Sequence, residues 1–154
     1  MDSKSLKKDI LIAGSLFLAT VLFSLISFST IKIRPNIFLV APIVASLLIE
    51  SAYVFFGFLL ALILWLKYTP FFTIEYLIVF ILGSISFIVS KLLIFGKVLF
   101  VRICLVLIFQ ALFWLVLGDG VGILSLVFLL EFIYNVIIEE LLFALGTWIK
   151  KKSF

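Results

Sequence analysis

Long apolar runs alternate with brief polar interruptions along this chain. Residues 10–31 form an apolar run of 22 residues, long enough for one helix to cross a bilayer. Residues 36–66 are too long for a single crossing of about 20 residues. Glu50 and Ser51 interrupt this stretch near its middle, which predicts two short helices, 36–50 and 52–67. A fourth segment, 73–92, ends at Lys91 and an elbow around Gly96 and Lys97. A fifth, 98–117, precedes Gly118-Asp119-Gly120, a tight turn in which glycine tolerates positive φ. The sixth, 121–149, exceeds a plain crossing, so it is expected to tilt, to kink, or to end as an interfacial segment after Glu140. Backbone groups in hydrocarbon must bond within their own segment, so the runs are read as helices.

Composition turns that pattern into a fold class. Of 154 residues, 66% are hydrophobic, 13% are charged and 19 are phenylalanine. A soluble domain of this size has too little polar surface to cover so much apolar material. The expected fold is one all-α integral membrane domain, residues 1–154, with about six transmembrane helices. The start, MDSKSLKKD, is charged, but the following run is too long for a removable leader and has no small-x-small cleavage site. Six crossings place both termini on one side. With that side cytoplasmic, Lys4, Lys7, Lys8, Lys91, Lys97, Arg102, Lys150, Lys151 and Lys152 are inside, and Lys32, Arg34 and Lys67 are outside. Cytoplasmic loops carry the excess of Lys and Arg, so this orientation is expected. The same placement makes the formal charge of +4 a topology signal and not a nucleic-acid patch.

Catalytic and metal chemistry find little purchase. There is no histidine, and Cys104 is the lone cysteine, which leaves neither an activated nucleophile nor a metal-ligand set. Glu139-Glu140-Leu141-Leu142-Phe143 resembles the start of the glutamate motif of CAAX-protease-like intramembrane peptidases. The basic residue that motif requires is missing, since Phe143 or Ala144 stands in its place. Ser84, Ser86 and Ser90 share a helix with Lys91, but small serines in a span more often let helices approach closely. Gly57, Gly83 and Gly146 read the same way. The run 118–122, GDGVG, has no lysine to hold a phosphate. No enzyme activity, cofactor or metal is expected.

The last segment carries the most informative polar pattern. Glu131, Asn135 and Glu139 recur every fourth residue and form one stripe on a helix. A charge in mid-bilayer costs roughly 2.5–3.5 kcal/mol or more, so the stripe should face protein, a cavity or a partner. Arg102 falls at a similar cytoplasmic depth and is a plausible mate for Glu139. The stripe reads either as an internal packing contact or as a docking or transport surface. In the second case, Glu50, Glu131, Asn135 and Gln110 would line a small-molecule cavity near mid-membrane.

Arg34-Pro35-Asn36 stands between the first two segments, and proline suits the first turn of a helix. This step resembles one in the rod-shape-determining MreD family. So do Gly57-Phe58-Leu59-Leu60-Ala61-Leu62-Ile63-Leu64, similar to that family's glycine-rich third span, and Tyr134-Asn135 with Leu141-Leu142-Phe143 and a basic tail. The family often ends its third span with an aspartate and a glycine-containing turn, where this chain has Trp65 and Lys67-Tyr68-Thr69-Pro70. The resemblance implies a fold similar to the substrate-binding S-components of energy-coupling-factor vitamin transporters. It implies a non-enzymatic scaffold of the bacterial cell-elongation complex in the cytoplasmic membrane. Such a scaffold binds a single-span MreC-type protein and helps position peptidoglycan synthesis beside the MreB filament, a SEDS glycosyltransferase and a penicillin-binding transpeptidase. The expected polar contacts are Arg34, Asn36, Arg102, Glu131, Asn135 and Glu139, with Gly57 and Gly83 at close helix approaches. The alternative is a vitamin-type binding subunit of a transporter.

Overall fold

The computed structural model describes residues 3–30, 36–66, 74–92, 99–117 and 126–152. Six helices account for nearly all of them: α1 (Ser3–Thr30), α2 (Ile37–Leu48), α3 (Ala52–Leu66), α4 (Ile74–Leu92), α5 (Leu99–Leu117) and α6 (Leu126–Lys152). The all-α expectation holds, and no strand occurs among the described residues. Arg34, Lys97 and the 118–120 turn lie outside them.

The break at Glu50-Ser51 is real, and its cause lies elsewhere in the chain. α1 begins well before residue 10, and this extra length carries Asp9 into the interior, where it is 3% exposed. Asp9 Oδ2 accepts hydrogen bonds from the backbone N–H of Glu50 (3.1 Å) and of Ser51 (2.7 Å). The first turn of a helix has donors without internal partners, and Asp9 meets that need for α3 from another helix. At the other side of the elbow, Lys91 Nζ donates to Ile49 O (3.0 Å) and Lys150 Nζ to Leu48 O (3.3 Å). Cations at the C-terminal end satisfy carbonyls that α2 itself leaves open. Lys150 Nζ also bonds Glu50 Oε1 at 2.9 Å. The ends of α1, α4 and α6 thus meet at the α2–α3 elbow, which gathers the N-terminal and C-terminal helices at one end of the bundle.

α2 is the central element and touches all five other helices. Ten of its twelve residues are buried, Pro42 among them. Two helices approach it where a side chain is missing. A Cβ on Gly83 would lie 2.8 Å from a Leu59 methyl and 3.3 Å from Pro42 Cβ, and one on Gly146 would strike Leu48. Serines then stitch α4 to α2: Ser86 Oγ donates to Ser46 Oγ (2.6 Å) and Ser90 Oγ to Ser46 O (2.8 Å). Ser86 and Ser90 are therefore packing contacts, Ser84 donates to Phe80 O of its own helix, and Lys91 is engaged with the elbow. Phe55 stacks on Phe87 at 4.5 Å between α3 and α4.

Two boundaries depart from expectation. α6 runs as one helix past Glu140 to Lys152, so the chain does not leave the helix there. In its last turn Lys150 reaches the elbow. Among the described residues, only α1, over Lys4–Leu25, is long and apolar enough to cross a bilayer by itself; α2 to α5 are apolar but shorter. Outward-facing large apolar side chains occur on every helix except α2, among them Leu18, Tyr53, Ile88, Phe100 and Ile137.

Candidate functional site

The stripe on α6 meets a second stripe on α5. Arg102, Gln110 and Trp114 are separated by multiples of four residues, so they share one face of α5. The helices run antiparallel and the two faces match in order. Trp114 Nε1 donates to Glu131 Oε2 (2.8 Å), and Asn135 Nδ2 donates to Gln110 Oε1 (2.9 Å). Gln110 Nε2 donates in turn to Phe128 O (3.1 Å). At the far end Arg102 Nε lies 3.4 Å from Glu139 Oε1, and another guanidinium nitrogen donates to Glu140 Oε1. The guanidinium plane also sits 3.8 Å from the centre of the Phe143 ring. Trp114 closes the other end by meeting Phe128 edge-on at 6.1 Å.

Burial shows which members of this ladder could meet an outside molecule. Asn135 and Glu139 have no exposed surface, Gln110 is 1% exposed and Arg102 is 4% exposed. Asn135 and Glu139 are thus internal contacts and not docking residues. Glu131 is only partly buried and is held by Trp114. Neither Glu139 oxygen accepts a hydrogen bond among the described residues. The guanidinium of Arg102 is the charged group that faces it, 3.4 Å away.

The proposed cavity quartet is not assembled. Glu50 bonds Lys150 near the end of α6, nineteen positions from Glu131, which is about 28 Å along a helix rising 1.5 Å per residue. Glu50 belongs to the elbow, where Lys150 holds its carboxyl below the ordinary value of 4.5, first by the hydrogen bond and then by charge. Asn36 begins α2 without a side-chain cap; its backbone carbonyl accepts from Leu39 and Val40. Gly83 makes the expected close approach, whereas nothing lies within 4 Å of a Cβ built on Gly57.

Sequence reasoning missed two participants. Trp114 could have been found from its four-residue offset to Gln110. Asp9 gave no such signal, because its partners are backbone groups 41 and 42 positions away.

No protein-family model, curated protein or solved structure matches this chain.

Proposed function

We propose that this chain is a six-helix integral membrane protein with an S-component-like arrangement and both termini in the bacterial cytoplasm. In this reading it is a non-enzymatic scaffold of the cell-elongation complex, receiving the single transmembrane helix of an MreC-type partner and helping to position peptidoglycan synthesis. The MreB filament, a SEDS glycosyltransferase and a penicillin-binding transpeptidase complete the assembly. Membrane residence is supported by the apolar surface on every helix but α2, since monomeric soluble proteins rarely expose large contiguous apolar patches. The orientation is supported by the gathering of Lys91, Lys150 and the basic start of α1 at one end.

The observation that carries the docking role is the outer face of α3. Tyr53, Gly57, Leu60 and Leu64 follow one another at i, i+4, i+7 and i+11. Tyr53 is 87% exposed, and Leu60 and Leu64 are more than half exposed. Among the described residues, nothing lies where a side chain on the glycine at the centre of this stripe would begin. Helices associate in lipid where a small residue lets two backbones approach, and Gly57 offers such a place to a second chain.

The test is co-purification from native membranes with mass spectrometry, comparing wild type with Gly57→Leu. Elongation proteins should accompany wild type and be lost from the variant while its membrane level is unchanged. Wild type that brings down no elongation protein refutes the complex, and full recovery with Gly57→Leu refutes the α3 face.

A further inference from the structure

At the end where the elbow lies, α1 and α6 enclose a cleft of about 810 Å³, within the roughly 300–1,000 Å³ typical of small-ligand sites. Its lining divides by chemistry. Lys4, Lys7, Lys8, Lys150 and Lys152 contribute positive charge from both ends of the chain. Leu11, Trp148 and Ile149 supply an apolar wall, and Trp148 is 55% exposed, with Lys152 Nζ 4.2 Å from its ring centre. Among the described residues, the lining holds two carboxylates and both are engaged, Asp9 by the elbow backbone and Glu50 by Lys150. The cleft therefore keeps an excess of positive charge. It also contains the first turn of α1 through Lys4 and Ser5, whose helix dipole adds to the attraction for an anion.

We infer that this cleft binds the headgroup of an anionic phospholipid. A free phosphate would use the lysines and leave the apolar wall unused. A lipid uses both, with its phosphodiester among the lysines and the root of its acyl chains against Leu11 and Trp148. Tryptophan favours this boundary between apolar and aqueous layers, and basic clusters beside membrane helices recognise anionic headgroups. The inference needs the basic end to sit at the lipid–water boundary, but no protein partner, so it stands apart from the scaffold role.

The test uses the full chain in neutral detergent micelles, titrated with phosphatidylglycerol while thermal unfolding is followed. A ligand that binds only the folded state raises the midpoint. Phosphatidylglycerol should raise it in a saturable way, and phosphatidylcholine and inorganic phosphate should not. Replacing Lys4, Lys7 and Lys152 together by Gln should weaken the half-saturating lipid concentration by roughly a hundredfold, taking the usual contribution of each lysine near an anionic surface. Lys152→Gln should weaken binding several-fold. Lys151→Gln removes the same charge one position away, outside the cleft lining, and should change it little. An equal rise with phosphatidylcholine or with inorganic phosphate overturns the assignment. So does equal loss from Lys151→Gln and Lys152→Gln, which would mean diffuse charge and no site.

Discussion

Replacing Asp9 tests whether the elbow is held from outside its own helices. In wild type one carboxylate oxygen accepts from two successive backbone donors, and Ser51 among them is buried. Asp9→Ala leaves both N–H groups without that partner. Water can reach part of the Glu50 site, so one full and one partial loss are counted, at about 1.5–3 kcal/mol for a hydrogen bond to a charged group. The expected cost is about 2–4 kcal/mol, or roughly 30- to 900-fold in the unfolding equilibrium. Asp9→Asn keeps a carbonyl oxygen able to accept the same bonds and loses only the charge facing the positive end of α3, about 0.5–2 kcal/mol. Stability should therefore fall in the order wild type, Asn, Ala. Reversible unfolding of the purified chain in mixed micelles measures the order, and hydrogen exchange at residues 50 and 51 locates the loss. An alanine variant within about 0.5 kcal/mol of wild type would refute the capping role, since a lost helix cap typically costs about 1 kcal/mol. An asparagine variant as unstable as alanine would show that charge, and not the acceptor atom, matters.

The α5–α6 ladder gives a second expectation. Arg102→Met leaves fully buried Glu139 without the guanidinium and Glu140 without its donor and should cost about 1–3 kcal/mol, whereas adding Glu139→Met should recover part of it; unfolding of single and double variants checks this. Arg102→Lys should rescue poorly, because one ammonium cannot span both glutamates and stack on Phe143. The two glycines should separate cleanly: Gly83→Ala presses on Pro42 and Leu59 and should destabilise by about 1–3 kcal/mol, while Gly57→Ala should be neutral or gain up to about 1 kcal/mol. The Lys150–Glu50 pair should matter least. Because the pair lowers the Glu50 pKa, its contribution is fully present above about pH 4.5 and fades as pH falls through the lowered value. With the Glu50 side chain 67% exposed, Glu50→Gln should change stability at pH 7 by less than about 1 kcal/mol, and thermal midpoints at pH 7 and 3.5 should show the variant's deficit shrinking in acid.

Helix positions were legible because apolar runs and their polar breaks are local signals. Glu50 and Ser51 divided α2 from α3, and Glu131, Asn135 and Glu139 marked the inward side of α6. Arg102 could be matched to Glu139 by depth alone. The rest depended on tertiary partners. The start of α1 read as a flanking charged segment because Lys4, Lys7 and Lys8 suggest a solvated end; the helix instead extends through them to place Asp9 under the elbow. Glu50 read both as a helix break and, with Glu131, Asn135 and Gln110, as a cavity residue; only the break is observed, since Lys150, a hundred positions away, holds it at the end of the bundle. Gly57 and Gly83 look alike in sequence, and only the packing distinguishes an inward approach from an open face.

That distinction bears on how so apolar a chain specifies one arrangement. In a water-soluble helix the polar face turns outward and fixes the rotation. Here both faces of α3 and α5 are largely apolar, with Leu60 and Leu64 outside and Leu59 and Leu62 inside. Hydrophobicity therefore distinguishes the two sides weakly, and in the bilayer proposed for this chain it would provide no drive for one helix to choose another. Rotation must be fixed by features that fail if a helix turns. Gly83 admits α3 and Pro42 on one side only, and Ser86 reaches Ser46 only from that side. On α5, turning the helix by half a revolution would carry Arg102, Gln110 and Trp114 away from α6 together and leave Glu139 buried without its counter-charge. The elbow acts along the other direction: Asp9, Lys91 and Lys150 engage groups at residues 48–51, so a slide of one turn, about 5.4 Å, would break all of these contacts. The glycine, the serines and the paired stripes set which face is inside, and the elbow sets how far each helix is inserted.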